Sequence, residues 1–289
     1  GAGRVGSMAS ADLPAPRTPE GRDGLAALLA HPERAVVALD FDGTLAPIVP
    51  DPDQARAHPG AAAALSRLAP HLAAVAVVTG RPAGVAVRYG GFAGVPGLDH
   101  LVVLGHYGAE RWDARSGEVH TPGAHPGVTA VRAELPGFLD RIGAWSGTWI
   151  EDKGGRAVAV HTRRTEDPDA AFEALRRPLH ELAESHGLMV EPGRYVLELR
   201  PPGVDKGVAL AAYLREVDAG SVLYGGDDLG DLAAFAAVED LRKHGTAGLL
   251  VASAGTAESP PEVAERADLT VPGPEGVVAL LDALADALE

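Results

Sequence analysis

The stretch Val36-Val37-Ala38-Leu39-Asp40-Phe41-Asp42-Gly43-Thr44 constrains this chain more than any other. The unbroken apolar and β-branched run from Ala35 to Leu39 is the pattern of a strand buried on both faces of a parallel sheet. Open α/β sheets gather their ligands at the carboxyl ends of such strands, which is where Asp40 and Asp42 fall. Gly43 then lets the backbone turn away. Two carboxylates this close repel one another unless a cation lies between them, and hard oxygen donors select Mg²⁺ over metals that prefer sulfur or nitrogen. The sequence therefore predicts a strand tip organised around a divalent cation.

Around that tip the chain reads as an α/β protein with a Rossmann-like core, a mostly parallel sheet and an inserted α+β domain. Residues 1–30 are expected to form a tail and a short helix. The residues before Met8 read as a vector-derived remnant without the apolar stretch of a signal peptide, and residues 1–20, rich in Gly, Ala and Pro, carry no period and are expected to be disordered. Pro47, Pro50, Pro52 and Pro59 mark a constrained loop over the strand end. Helical spacing over 61–72 is followed by two more buried strands, one ending at Thr79, Gly80 and Arg81 and the other near His106 and Tyr107. From Arg111 the strands alternate, with one hairpin turning at Gly154 and Gly155 and a second expected to turn at Pro192 and Gly193. Helices over 128–145 and 169–186 separate these pieces. Solid α/β patterning returns with a helix from Asp205 and the strand Ser221-Val222-Leu223-Tyr224-Gly225-Gly226-Asp227-Asp228. The expected core domain is thus 31–110 with 200–289, and the inserted domain 111–199.

Composition narrows the partners. Lys and Arg number 25 against 40 Asp and Glu, a formal charge of -15, which argues against non-specific nucleic-acid binding or attraction to anionic membranes. The chain has no cysteine, so disulfides and thiolate chemistry are excluded and a cytoplasmic location is expected. No apolar run approaches the roughly 18 residues of a membrane span. A small-molecule substrate is the partner class that remains, and the sequence leaves the oligomeric state open.

Strand ends and helix starts deliver the Asp40/Asp42 pair, Thr79, Lys206 and the triple Asp227, Asp228, Asp231. If their strands are parallel neighbours, these groups converge on one crevice. A carboxylate can attack phosphorus and split one hard displacement into two easier ones, and Asp40 at the strand tip is the natural nucleophile. Mg²⁺ held by Asp40, the Asp42 carbonyl and Asp227 would neutralise charge on the phosphoryl oxygens, with Lys206 and Thr79 contacting the others. Asp42 can protonate the leaving oxygen and later activate water.

Four ordered segments, Asp40 to Thr44, Thr79-Gly80-Arg81, Lys206 and Gly225 to Asp231, resemble the motifs of the haloacid dehalogenase-like phosphatases. Within that superfamily the resemblance over about residues 34–280 is to the trehalose-6-phosphate phosphatases. It implies the aspartyl-phosphate chemistry, Mg²⁺ held by Asp40, Asp42, Asp227, Asp228 and Asp231, and an inserted cap. It also implies sugar contacts from Glu151, Lys153 and Glu198, with Arg81 and His106 as further substrate-binding candidates. Tyr107, Ala157, Gly230 and Leu232 depart from the family's commoner residues. The alternatives are a phosphatase of sucrose 6-phosphate or a glycosyl phosphoglycerate, a phosphomutase, or a non-catalytic sugar-phosphate binder.

Overall fold

The computed structural model describes residues 13–121, 123–255 and 257–289. The chain divides into two compact units, one running up to His120 and resuming at Asp205–Glu289, the other Thr121–Val204. The amino-terminal part of the first unit holds α1 (Pro19–Ala30), β1 (Ala35–Leu39), α2 (Ala61–Leu68), β2 (Ala74–Val78), α3 (Ala83–Gly90), β3 (Val102–Gly105), β4 (Glu110–Asp113) and β5 (Glu118–His120). The second unit contributes α4 (Pro126–Arg141), β6 (Trp149–Asp152), β7 (Val158–His161), α5 (Pro168–Ser185), β8 (Met189–Gly193) and β9 (Val196–Arg200). The first unit is completed by α6 (Lys206–Glu216), β10 (Ser221–Gly226), α7 (Leu232–Lys243), β11 (Ala247–Ser253), α8 (Pro261–Arg266), β12 (Leu269–Val271) and α9 (Gly273–Leu288).

In the first unit the strand order is β12-β11-β10-β1-β2-β3-β4-β5. The strands from β12 to β3 run parallel, and β4 and β5 are added antiparallel at one edge. Alternate residues of β1 serve opposite layers: Val37 and Leu39 pack with Leu65, Leu68, Leu281 and Leu284, while Val36 and Ala38 pack with Leu210, Leu214, Phe235 and Val238. A strand sandwiched in this way must be apolar at every position, which is why its sequence runs solid where a half-exposed strand alternates. Leu39 is in register with Gly225 on one side and Val77 on the other, so the carboxyl ends of β10, β1 and β2 lie side by side.

Several expectations need correction. Residues 13–20 are ordered: Pro19 opens α1, Thr18 Oγ1 accepts from the Gly21 amide at 3.0 Å, and its hydroxyl donates to Asp268 at 2.6 Å. A proline at the first helical position and a threonine cap are start signals that the lack of period obscured. Residues 1–12 lie outside the described residues. The expected boundary at 111 also falls inside the first unit's sheet, because β4 pairs with β3 through Gly105 and Glu110 and β5 continues the ladder. The carboxyl-side division falls after Val204, so Arg200 belongs to β9 and the second unit.

The second unit is an antiparallel sheet of order β6-β7-β9-β8 with α4 and α5 packed on one face. Val158, Val160, Leu197 and Leu199 point into that core with Leu135, Leu139, Leu175 and Leu179. The register aligns Glu151, Ala159, Glu198 and Glu191 in one row across the other face. The second hairpin turns at Arg194 and Tyr195, not at Pro192 and Gly193, because Gly193 pairs with Val196. Pro192 sits in the edge strand β8, where a missing amide proton costs no ladder bond, and Tyr195 takes the left-handed turn conformation at φ 56°. Among the described residues no helix is long and apolar enough to cross a membrane.

Candidate active site

Asp40 follows directly on β1, and its amide still donates to Gly225 O at 2.9 Å, so the ladder with β10 reaches the carboxylate itself. The side chain is only 4% exposed. Its Oδ1 accepts from the Phe41 amide at 2.7 Å and from the Lys206 ammonium at 2.8 Å. Lys206 is the first residue of α6, whose start is capped by Asp205 accepting from the Val208 amide at 2.8 Å. The same ammonium donates to Asp231 Oδ1 at 3.0 Å.

Asp231 is fully saturated with hydrogen bonds. Oδ1 accepts from Lys206 and from the Tyr224 hydroxyl at 2.6 Å, while Oδ2 accepts from the amides of Asp227 at 2.9 Å and Asp228 at 3.1 Å. A carboxylate offers about four acceptor positions, and all four of Asp231 are engaged here. It holds Lys206 and the Asp227 backbone in place. Asp228 accepts from the Leu229 amide at 2.9 Å and forms a reciprocal cap with Asp231.

Asp227 lies at the end of β10 beside Asp40, close enough for the two carboxyls to hydrogen-bond to each other. Thr44 Oγ1 lies 3.3 Å from Asp227 Oδ1. Burial, and then the neighbouring charge of Asp231, push the Asp40 carboxyl up to about 7 despite Lys206. Burial and Asp40 push Asp227 well above the usual carboxylate range. Burial would also raise Asp231, but Lys206, the Tyr224 hydroxyl and the two amides outweigh it and hold that group down. The consequence is a buried pair, Asp40 and Asp227, that binds a proton tightly when nothing else balances its charge. Carboxylate oxygens of Asp40, Asp227 and Asp231 lie within 4.8 Å of one another. An all-oxygen donor set with this charge excess fits a hard divalent cation.

The turn after β1 is built for this proximity. Gly43 has φ 79°, and a Cβ there would stand 1.8 Å from Asp227 Oδ2. Ser253 Oγ donates to Gly43 O at 2.7 Å, tying the turn to the end of β11.

Asp42 points away from this cluster and into a fork: Arg81 donates from Nε to Oδ2 at 2.7 Å and from Nη2 to Oδ1 at 2.8 Å. Thr79, at the end of β2, accepts from the Arg81 amide at 3.0 Å through its hydroxyl oxygen. His106 is buried with Nε2 3.7 Å from Glu110 Oε1, and Glu110 also accepts from the Ala83 amide at the start of α3 at 2.8 Å. In the second unit, Lys153 donates to Glu198 at 3.2 Å, and His161 Nε2 lies 2.7 Å from Glu151 Oε1 with its ring stacked on Trp149.

The sequence reading missed Tyr224, Thr44, Ser253 and Glu110. Tyr224 carried a signal, since a hydroxyl inside a solidly apolar strand needs a buried partner.

The profile of the trehalose-phosphatase family matches residues 38–268. The chain belongs to that family. It is 33% identical over 273 residues to a probable trehalose-phosphate phosphatase of Sinorhizobium fredii, covering 92% of this chain and 93% of the relative. It is 40% identical over 231 residues to the trehalose-phosphate phosphatase of Mycobacterium avium, covering 75% of this chain and 54% of that one. The chain thus spans about half the length of the mycobacterial relative and nearly all of the Sinorhizobium one. In fold it is similar to the carboxy-terminal domain of trehalose-6-phosphate phosphatase from C. albicans, with a TM-score of 0.73, 23% identity, and coverage of 94% of this chain and 98% of that one. The likeness to that domain is one of fold, and the chain is a phosphatase by family.

Proposed function

We propose that this chain hydrolyses trehalose 6-phosphate to trehalose and phosphate through an aspartyl-phosphate on Asp40, in the cytoplasm and with Mg²⁺. The observation that carries the chemistry is the buried Asp40 carboxylate, held by Lys206 at the end of β1 with Asp227 beside it. Asp40 and Asp227, with the Asp42 carbonyl, would hold the cation, which when bound supplies positive charge for the phosphoryl oxygens. Lys206 and the Phe41 amide fix the orientation of the Asp40 carboxylate through its Oδ1. Thr79 keeps its hydroxyl proton for a phosphoryl oxygen, since its oxygen already accepts from Arg81. In the first half-reaction Asp40 attacks phosphorus, the bond to the sugar oxygen breaks, and Asp42 gives that oxygen its proton. In the second, Asp42 takes a proton from water as the water oxygen attacks phosphorus, and phosphate leaves Asp40 as a free carboxylate.

The substrate rests on the family resemblance, which assigns Glu151, Lys153 and Glu198 to the sugar. Their chemistry suits sugar binding, because carboxylates accept from two hydroxyls at once and an ammonium donates to sugar oxygens. The test is phosphate release with Mg²⁺ from a panel of trehalose 6-phosphate, sucrose 6-phosphate, glucose 6-phosphate and a glycosyl phosphoglycerate. Turnover of trehalose 6-phosphate should exceed the others by about tenfold or more in kcat/KM. A flat profile across the panel would remove the substrate assignment and leave a general sugar phosphatase.

A further inference from the structure

We propose that Arg81 is the positioning residue for Asp42, holding the acid/base carboxylate in a fixed orientation and tying it to the proline-rich loop, and that it does not bind substrate. This rests on the phosphatase reading above. The guanidinium meets Asp42 with two parallel hydrogen bonds of 2.7 and 2.8 Å, and Nη2 also donates to Pro52 O at 2.9 Å. It further lies 5.2 Å from the centre of the Tyr89 ring, within reach of a cation–π contact. The group is 8% exposed. A cation with its face and edges committed in this way has been oriented toward Asp42 and the loop by the fold.

The backbone that carries Arg81 is equally fixed. Its amide donates to Thr79 Oγ1 at 3.0 Å and its carbonyl accepts from the His106 amide at 2.9 Å. The Tyr107 amide donates to Thr79 O at 3.0 Å. His106 and Tyr107 both stand at positive φ, 46° and 56°, a costly pair of conformations for residues with side chains. The Tyr107 ring occupies the space that a Cβ on Gly80 would need, with its hydroxyl oxygen 2.6 Å from that position. Two adjacent strand ends are therefore locked together directly beneath Arg81.

Asp42 needs such a support. Its side chain is 31% exposed and hangs from the turn at Gly43, so alone it would sample several rotamers. A group that must meet the leaving oxygen first and a water afterwards loses about 100-fold when misplaced by an ångström. The Arg81 fork removes that freedom from the ionised carboxylate, the form in which Asp42 takes a proton from water. It also joins Asp42 to Pro52, so that the acid/base and the loop keep one geometry.

The test uses the whole chain with Mg²⁺ and two substrates, namely trehalose 6-phosphate, whose leaving group needs a proton, and an aryl phosphate, whose leaving group does not. Arg81→Lys keeps the charge but cannot form the fork, and Arg81→Ala removes both. Each should lower kcat/KM for trehalose 6-phosphate by about 10- to 100-fold. On the aryl phosphate each should give a burst of one phenolate per enzyme followed by a slow steady state, because departure from Asp40 still requires Asp42. In an Asp42→Asn background the Arg81 changes should add less than about twofold. Equal losses in both backgrounds, or a raised KM on both substrates without a burst, would mean that Arg81 contacts substrate directly and would overturn the proposal. So would wild-type kinetics in both variants. If Arg81→Ala unfolds, Arg81→Lys with an unchanged melting temperature still decides the matter. A wild-type chain that releases no phosphate from either substrate would instead remove the phosphatase reading itself.

Discussion

Gly43 and Asp227 occupy the same few cubic ångströms: a methyl group on Gly43 would lie 1.8 Å from the Asp227 carboxylate oxygen. The turn that carries Asp42 away from β1 can therefore pass over the end of β10 only as glycine. Gly43→Ala must either displace Asp227 or flatten the turn, and its φ of 79° adds a further penalty for any side chain. The expected outcome is a loss of about 3 kcal/mol or more in stability, with activity reduced even where the protein still folds. Chemical denaturation and phosphate release measure the two effects, and a variant with wild-type values in both would contradict the geometry.

Lys206 supplies the ammonium between Asp40 and Asp231, at 2.8 and 3.0 Å. Its own proton is held tightly: burial alone would loosen it, but Asp231 and Asp40 more than compensate. Lys206→Met leaves two buried carboxylates facing one another, at a cost of about 3 to 5 kcal/mol at neutral pH. Denaturant melts at pH 5 and pH 8 should show a smaller loss at the lower pH, where a proton can replace the ammonium. A loss of equal size at both would mean that packing of the lysine stem, not charge, is what the site needs.

The buried pair makes the metal-free protein pH-sensitive in a defined direction. Asp40 ordinarily titrates at 3.8 and is raised to about 7, so between these values the folded chain keeps a proton that the unfolded chain has released. Stability from this group is therefore lost as pH rises through that window, and the loss levels off above about 7. Asp40→Asn removes the effect, so the melting temperature of the variant minus that of the metal-free wild type should grow from pH 5 to pH 8. A difference that stayed constant or shrank would show that Asp40 is not raised.

Mg²⁺ should take the place of that proton. Adding it should raise the melting temperature more at pH 8 than at pH 5, and a chelator should abolish turnover. Asp227→Asn should weaken Mg²⁺ binding in calorimetry by at least about tenfold, whereas Asp228→Asn, whose carboxylate caps the turn before α7, should weaken it far less. Full phosphatase rate after complete metal removal would refute the metal assignment.

Glu198 is 3% exposed and accepts from Lys153, in a row with Glu151 and Glu191 across the second unit's sheet. If it hydrogen-bonds the sugar, Glu198→Ala leaves a hydroxyl unpaired and should lower kcat/KM for trehalose 6-phosphate about tenfold or more. Hydrolysis of an aryl phosphate, which has no sugar, should change little. Equal losses on both substrates would assign Glu198 to folding of its unit.

The sequence alone determined the parallel core and most of what meets at its centre. A strand covered on both faces must be apolar throughout, so β1, β2, β10 and β11 announced themselves with acids at the tips of β1 and β10, and the parallel pairing of β1 with β10 in the structure makes those tips neighbours. Helix α3 and strands β4 and β5 were not legible, because Ala83-Gly84 and the charged Glu110-Arg111-Trp112-Asp113 carry little periodicity and form by pairing with β3 and by the Glu110 cap on Ala83. Which acid does what was also decided only in three dimensions. Asp227 and Asp231 have the same side chain four residues apart, yet one is left facing Asp40 while the other is consumed by Lys206, Tyr224 and two amides. Arg81 could be seen at a strand end, but not that its fork closes on Asp42. Periodicity reports which face of an element is buried, and that is a local property. The partner of a polar group depends on distances between segments far apart in the chain, which only the packed structure sets.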